Sequence, residues 1–280
     1  MTRPRHFTVA AVQMTSTADR DKNLAIVEYM ARRAVDGGAS LVALPENFAY
    51  IRPEKETARY AETLEGELVG RLRGLATELA CYLLAGSIPE RLGKNRKIHN
   101  TSVLIGPTGE ILAVYRKIHL FDVRMRGKVM FEESKVVAAG DEPVVVETPL
   151  GTFGLSICYD LRFPELYRWQ ARHGAQVLFI PSAFTAYTGR DHWMTLVRAR
   201  AIENQCWVVA PAQVGQHNPS RQSYGHTAIV DPWGTVVGLL ESGEGIVSSE
   251  IDFERLAKVR AGLPCLDHAR PDLFGPPDQG

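Results

Sequence analysis

No stretch of this chain approaches the roughly 18 to 20 consecutive apolar residues that span a bilayer. Near the front, Val9-Ala10-Ala11-Val12 follows Arg3 and Arg5, but Gln13 cuts the run well short of a signal-peptide core. A protein neither secreted nor embedded in a membrane is therefore expected. An excess of charge is missing too: 32 Lys and Arg face 32 Asp and Glu, which argues against a dedicated nucleic-acid binder. A local basic pocket for an anionic substrate stays open. Cysteine is scarce, with residues 81, 158, 206 and 265 forming no CxxC pair. That excludes a disulfide framework and fits thiols in a reducing cytoplasm. The eight histidines contain no HxH, HExxH or HxxxH arrangement, so no metal site is expected. GxGxxG and P-loop patterns are also lacking, and no cofactor is expected.

What is present is a soluble composition, 45% hydrophobic and 23% charged, with strands and helices in alternation. Residues 7–13 read as a strand. Residues 21–36 place Leu24, Val27, Met30, Ala31, Ala34 and Val35 on one helical face, stopped by Gly37-Gly38. The strand SLVALPE, a helix near 65–80, the strand CYLLAGS and a hairpin around Pro107-Thr108-Gly109 follow. The order then recurs: strand 153–158, helix 164–173, strand 177–182, helix 190–204, strand 206–211 and a hairpin around Pro232-Trp233-Gly234. Gly38, Pro45 and Phe48 match Gly174, Pro181 and Phe184 at an offset of 136. SVLIGPTGEIL matches TAIVDPWGTVV at 125. Shared order with drifting offsets marks an internal duplication. Two similar sheets packed face to face, with helices outside, form a four-layer α-β-β-α sandwich. No Ser/Gly/Pro-rich linker separates the halves, so one domain over 1–280, with its core at about 7–274, is expected.

Three strand ends carry reactive side chains that packing does not require. Glu46 follows LVALP, Lys117 closes ILAVYRK, and Cys158 ends FGLSIC before Tyr159-Asp160. In open α/β folds ligands bind beyond the carboxyl ends of strands, where three such ends can converge. A cation beside Cys158 favours the thiolate. Glu46 can accept the thiol proton, pass it to a departing amine and then activate water. Lys117 and the backbone N–H of Tyr159 can face an oxyanion. Glu133, in FEES, can orient Lys117 and the substrate. Each residue also has a plainer reading: a small core thiol, a loop or capping carboxylate, a solvated lysine, and a Glu133 no better marked than Glu132. Spacing alone does not put them in contact.

LPENF, YRKIHLFD and ICYDLRFPE, in that order, resemble the three catalytic motifs of the nitrilase superfamily, the carbon–nitrogen hydrolases. The likeness runs from about residue 7 to 274. It implies Glu46 as general base, Lys117 as oxyanion stabiliser or proton donor, Cys158 as nucleophile and Glu133 as a positioning glutamate. It also implies a thioester intermediate and a homodimer. Asp160, Arg162 and Glu165 are expected to shape the cysteine turn and the interface rather than to do chemistry. PSAFTAYTG, LVRARAIENQCWVVAPAQ and SYGHTAIVDPWG resemble the branch that cleaves deaminated glutathione to 2-oxoglutarate and cysteinylglycine. KIHLFDVRMRGKVMFEES leans toward omega-amidase, which acts on α-ketoglutaramate.

Either substrate is a small anionic amide, so cations and donors should line the pocket. Arg124, Arg126 and Lys128 between Lys117 and Glu133 are candidates, with Tyr187, Thr188 and Arg190 beyond Pro181. Solvated loop residues are the plainer reading of all six. Histidines 99, 119, 192 and 226 are expected to pack or hydrogen-bond. GLSIC lacks the final glycine of a GxSxG elbow, and Ser156 is expected to face the packed side, which disfavours a serine hydrolase. A nitrile hydrolase is the rival chemistry, and a catalytically silent interaction protein on the same fold is the rival of another class.

Overall fold

The computed structural model describes residues 4–51, 54–93, 96–125, 128–270 and 272–273; for 54, 55, 124, 125 and 128–130 it describes the backbone alone. Two six-stranded sheets form its centre. The first runs in the order Gly245–Asp252, His6–Gln13, Leu41–Ala43, Tyr82–Glu90, His99–Ile105, Ile111–Arg116. The second runs Val144–Thr148, Gly151–Leu155, Val177–Phe179, Trp207–Ala210, Thr227–Val230, Val236–Leu240. In each, three parallel strands are flanked by antiparallel ones.

Side-chain alternation along the strands separates the layers. Phe7, Val9 and Ala11 join the core shared with the second sheet, where the Phe7 and Phe153 rings lie 6.0 Å apart. Ala10, Val12 and Met14 join the core beneath the helices Arg20–Asp36 and Glu67–Leu79. The second sheet carries Pro164–Arg172 and Ala186–Asn204 on its outer face, through Leu166, Tyr167, Trp193 and Val197. The layers are therefore helix, sheet, sheet, helix. The helix ends follow local chemistry. Asp19 accepts the Lys22 N–H at the start of Arg20–Asp36, and Gly37 closes it by donating to Arg33 and Val35 carbonyls. Proline opens Pro164–Arg172, where a missing N–H costs nothing.

Three features differ from the sequence expectation. Helix 190–204 begins earlier, at Ala186, because the Thr185 side chain accepts the Thr188 N–H. Gly189 reads as a breaker, yet here it lets Tyr224 approach: a Cβ at 189 would sit 2.3 Å from that of Tyr224. Two hairpins were not anticipated, Asp122–Met125 with Lys128–Glu132 and Val214–Asn218 with Arg221–Tyr224. Nor was the strand exchange. Val144–Thr148 follows the first repeat but pairs with Gly151–Leu155 of the second sheet. Gly245–Asp252 follows the second repeat but pairs along all of His6–Gln13. Each half thus completes the sheet of the other. Among the described residues no helix is long and apolar enough to cross a membrane.

Candidate active site

Residues just past Leu41–Ala43, Ile111–Arg116, Gly151–Leu155 and Val177–Phe179 meet in the wall of one cavity. Glu46 stands three residues beyond Leu41–Ala43. The neighbouring strand passes tightly beneath it: a Cβ at Gly86 would come within 2.0 Å of the Pro45 carbonyl oxygen, so the approach needs a residue without a side chain. Lys117 directly follows Ile111–Arg116, and its backbone N–H donates to the Asn100 carbonyl at 2.9 Å. Cys158 does not end a strand, as the sequence suggested. Gly151–Leu155 stops three residues earlier, and Cys158 opens a tight turn with φ at 49°.

That turn is held by a buried carboxylate. Asp160 accepts from the Ile157 N–H at 2.8 Å, the His119 N–H at 3.1 Å and the Tyr115 hydroxyl at 2.7 Å. His119 Nδ1 is a further 2.7 Å neighbour, and the His119 ring stacks on Phe163 at 3.7 Å. The Cys158 N–H donates to the Pro181 carbonyl at 3.0 Å. These bonds stabilise a left-handed cysteine that an L-residue rarely adopts. Among the described residues the Tyr159 N–H has no acceptor.

Glu46 and Lys117 are 3% and 2% exposed. The ammonium donates to Glu46 Oε1 at 3.2 Å and to Glu133 Oε2 at 2.9 Å. Asn100, which the sequence did not flag, donates its amide to Glu46 Oε1 at 2.9 Å and to Glu133 Oε1 at 3.3 Å. Glu46 Oε2 accepts the Ala183 N–H at 2.9 Å, and Glu133 Oε2 accepts that of Phe121 at 2.7 Å. The carboxylates are thus fully hydrogen-bonded, the condition under which buried charge is tolerated.

Burial pushes the Glu46 carboxyl up, but Lys117, Arg221, the Cys158 thiol and the Ala183 N–H outweigh it and hold it below the usual range. Burial also disfavours the charged form of Lys117, yet Glu133 and Glu46 raise it above the ordinary lysine value. The Cys158 thiol is pushed well up, first by burial and then by the negative charge of Glu46, with Lys117 opposing. The resting pair is therefore a neutral thiol beside a carboxylate. Lys117 favours the thiolate as expected, but burial and the charge of Glu46, the expected proton acceptor, outweigh it before substrate arrives.

The cavity encloses about 840 Å³, its open mouth included. Glu46, Lys117, Glu133 and Cys158 share its wall with Tyr159 and Thr188. Of the other substrate-binding candidates, Tyr187 is 74% exposed and Arg190 is exposed and pairs with Asp191; neither lines the cavity. Arg126 and the side chains of Arg124 and Lys128 lie outside the described residues. Two guanidinium groups line it instead. Arg162, expected only to shape the turn, lies over the Phe184 ring at 4.9 Å with His192 Nδ1 at 3.2 Å. Arg221 comes from the unanticipated second hairpin. No motif marked it, because the hairpin's docking is a tertiary event. Ser156 is buried and bonds to Tyr167 and Phe179, away from any nucleophilic role. His226 stacks on Tyr224 at 4.0 Å, and His99 lines the cavity.

A thiol, a carboxylate that can take its proton, an ammonium and a free backbone N–H around one cavity suit nucleophilic attack on a carbonyl. Comparison with known proteins agrees. A carbon–nitrogen hydrolase family model matches residues 8–261. The chain is 46% identical over 267 residues to deaminated glutathione amidase of Synechocystis, covering 94% of this chain and 97% of that one. It is 39% identical over 268 residues to human omega-amidase NIT2, covering 96% of each. The crystal structure of the C. elegans NitFhit protein superposes with a TM-score of 0.91 at 42% identity, covering 97% of this chain and 67% of that one.

Proposed function

The chain belongs to the carbon–nitrogen hydrolase family, and from that premise we propose a cysteine-dependent amidase whose substrate is deaminated glutathione, cleaved to 2-oxoglutarate and cysteinylglycine. The observation that carries the chemistry is that Glu46, hydrogen-bonded to Lys117, shares the wall of one cavity with Cys158. Cys158 Sγ attacks the amide carbonyl as its proton passes to Glu46. The carbonyl oxygen gains the negative charge and faces the Lys117 ammonium and the Tyr159 N–H. As the tetrahedral centre collapses, the C–N bond breaks and Glu46 gives its proton to the departing amine. A thioester on Cys158 remains. Glu46 then takes a proton from water as that water attacks, the C–S bond breaks, and the proton returns to sulfur. Glu133 and Asn100 hold Lys117 and Glu46 in place throughout.

The substrate is supported by the likeness to deaminated glutathione amidases and by a cavity wall whose cations, Lys117, Arg162 and Arg221, outnumber Glu46 and Glu133. Omega-amidase activity is the second reading, favoured by the likeness to the human omega-amidase. A single domain, a cytoplasmic location and a homodimer belong to the same proposal. The strand exchange between halves supports the first, the free cysteines the second, and exposed Ile202, Trp233, Val237 and Leu239 the third. The test is product release from deaminated glutathione and α-ketoglutaramate in parallel. Cysteinylglycine release with little turnover of α-ketoglutaramate is expected; the reverse preference makes the enzyme an omega-amidase, and silence on both removes these two substrates and reopens nitriles, carbamoyl compounds and the catalytically silent reading.

A further inference from the structure

Arg221 opens the second strand of the Val214–Tyr224 excursion, a hairpin tied both to residues 182–185 of its own half and to the Glu46 segment. Gln213, at its base, donates to the Glu46 carbonyl at 3.0 Å and to the Ser16 hydroxyl at 2.7 Å, and accepts the Ser16 N–H at 3.0 Å. His217 is buried between the Ser16 carbonyl and the Ser223 hydroxyl, 2.8 Å from each. The hairpin thereby places Arg221 in the wall of the cavity that Glu46 also lines. Its situation differs from that of the other cavity cations. Lys117 is engaged by two carboxylates, and Arg162 packs on Phe184 beside His192. Among the described residues, the Arg221 side chain has no hydrogen-bond or ion-pair partner.

We propose that Arg221 receives a carboxylate of the substrate, and that neutralising this guanidinium turns Glu46 into a stronger proton acceptor once the substrate is bound. The inference rests on the reading of Glu46 as the base. The charged and titratable groups facing Glu46 are Lys117, Cys158 and Arg221, with Glu133 across Lys117 and with Asn100 and the Ala183 N–H as neutral donors. Lys117 and the donors are fixed by the fold. Arg221 is the one whose charge an arriving anion can cancel. In the empty enzyme its positive charge helps to keep Glu46 ionised and weakly basic. When a carboxylate pairs with it, that pull ends and Glu46 gains proton affinity as the Cys158 proton must move. An anionic amide is thus favoured twice, in binding and in activation; a neutral amide gets neither advantage.

The sign of the pH effect follows. Glu46 must be ionised to act, so activity falls as pH drops through its pKa. In the wild type with an anionic amide, the acid limb of kcat, which reports the loaded enzyme, should lie at higher pH than that of kcat/KM, which reports the free enzyme. Arg221→Gln should move the kcat/KM limb upward and close the gap. With α-ketoglutaramate as the anionic probe and butyramide as the neutral one, Arg221→Gln should raise KM about tenfold or more for the first and under twofold for the second. Arg221→Lys should restore most of both effects. Equal losses on the two amides, or an unmoved acid limb, overturn the proposal.

A readout independent of turnover is alkylation of Cys158, mapped by mass, with iodoacetate against iodoacetamide. Arg221→Gln should lower the ratio of the two rates several-fold, and an unchanged ratio counts against an anion site. Cys158→Ala is run alongside: turnover by that variant would sink the thioester mechanism itself, whereas an inert Cys158→Ala with an Arg221→Gln enzyme indifferent to charge sinks only the role of Arg221.

Discussion

The two halves of the molecule share a scaffold and divide the chemistry. At the offset of 136 that relates Pro45 to Pro181, Glu46 corresponds to Ser182. At the offset of 125 that relates the two hairpins, Lys117 corresponds to Ser242. Leu41 pairs with Val9 and its counterpart Val177 pairs with Phe153, which makes Met14 the counterpart of Cys158. The first half therefore holds methionine, glutamate and lysine where the second holds cysteine, serine and serine. Ser182 is buried and donates its hydroxyl to the Ile180 carbonyl, Met14 is fully buried, and Ser242 is exposed. Duplication supplied each strand-end position twice, but a nucleophile with its base needs only one copy of each. The proposed nucleophile and base lie in opposite halves, at the cavity both halves line.

The largest effect should come from making the Cys158 position as unreactive as its counterpart Met14. Cys158→Ala is expected to reduce amide turnover by roughly 10⁴-fold or more, with a thermal unfolding midpoint within a few degrees of wild type. Unchanged hydrolysis would remove Cys158 as nucleophile. Next comes the charge that only the first half carries. Lys117→Met leaves the buried Glu46 and the partly buried Glu133 without their cation and should destabilise the protein by about 3 kcal/mol at neutral pH, measured by urea unfolding. Because Lys117 holds Glu46 ionised, this penalty should shrink as falling pH lets Glu46 take up a proton; a pH-independent penalty contradicts the pairing.

Glu133→Gln keeps the shape but not the charge opposite Lys117 and is expected to lower kcat about 10- to 100-fold. Equal activity would make Glu133 a bystander. The hairpin present only in the second half offers a smaller test. Burial holds His217 down to about 4, below the ~6.5 of a free imidazole. A depressed folded-state value gives stability that is present above the unfolded pKa and lost as pH falls toward the folded one. At pH 5 that loss should be about 2 kcal/mol. The stability difference between wild type and His217→Gln should narrow accordingly between pH 7 and pH 5. The smallest effect is expected where the counterpart is silent: Ser182→Ala should change kcat/KM less than threefold, and a large loss would show that the second half's copy of the Glu46 position takes part after all.

The sequence made the layers legible because period-2 alternation in His6–Gln13 and the helical face of Arg20–Asp36 are local patterns. Glu46, Lys117 and Cys158 were legible for a related reason: each stands just past an apolar strand, where packing does not ask for it. Asn100 was not, because it sits at the start of a strand and meets Glu46 and Glu133 only across the fold. Arg221 was hidden by its hairpin, whose docking depends on Gln213, Ser16 and His217 rather than on any local signal. The start of the helix at Ala186 was obscured by Gly189, whose purpose is room for Tyr224. Pairing of Gly245–Asp252 with His6–Gln13 joins segments separated by more than two hundred residues, and no periodicity reports such a partner.

That last pairing has a consequence for how the chain is made. The first sheet lacks its edge until the segment ending at Asp252 has left the ribosome, so His6–Gln13 must wait with one side of its backbone unsatisfied while nearly everything between is synthesised. An open apolar edge of this kind is a template for foreign strands, and long-range closure is slow. The newborn protein should therefore be most vulnerable to aggregation late in synthesis, and a chain released short of residue 245 should depend more on chaperones than a chain released beyond residue 252.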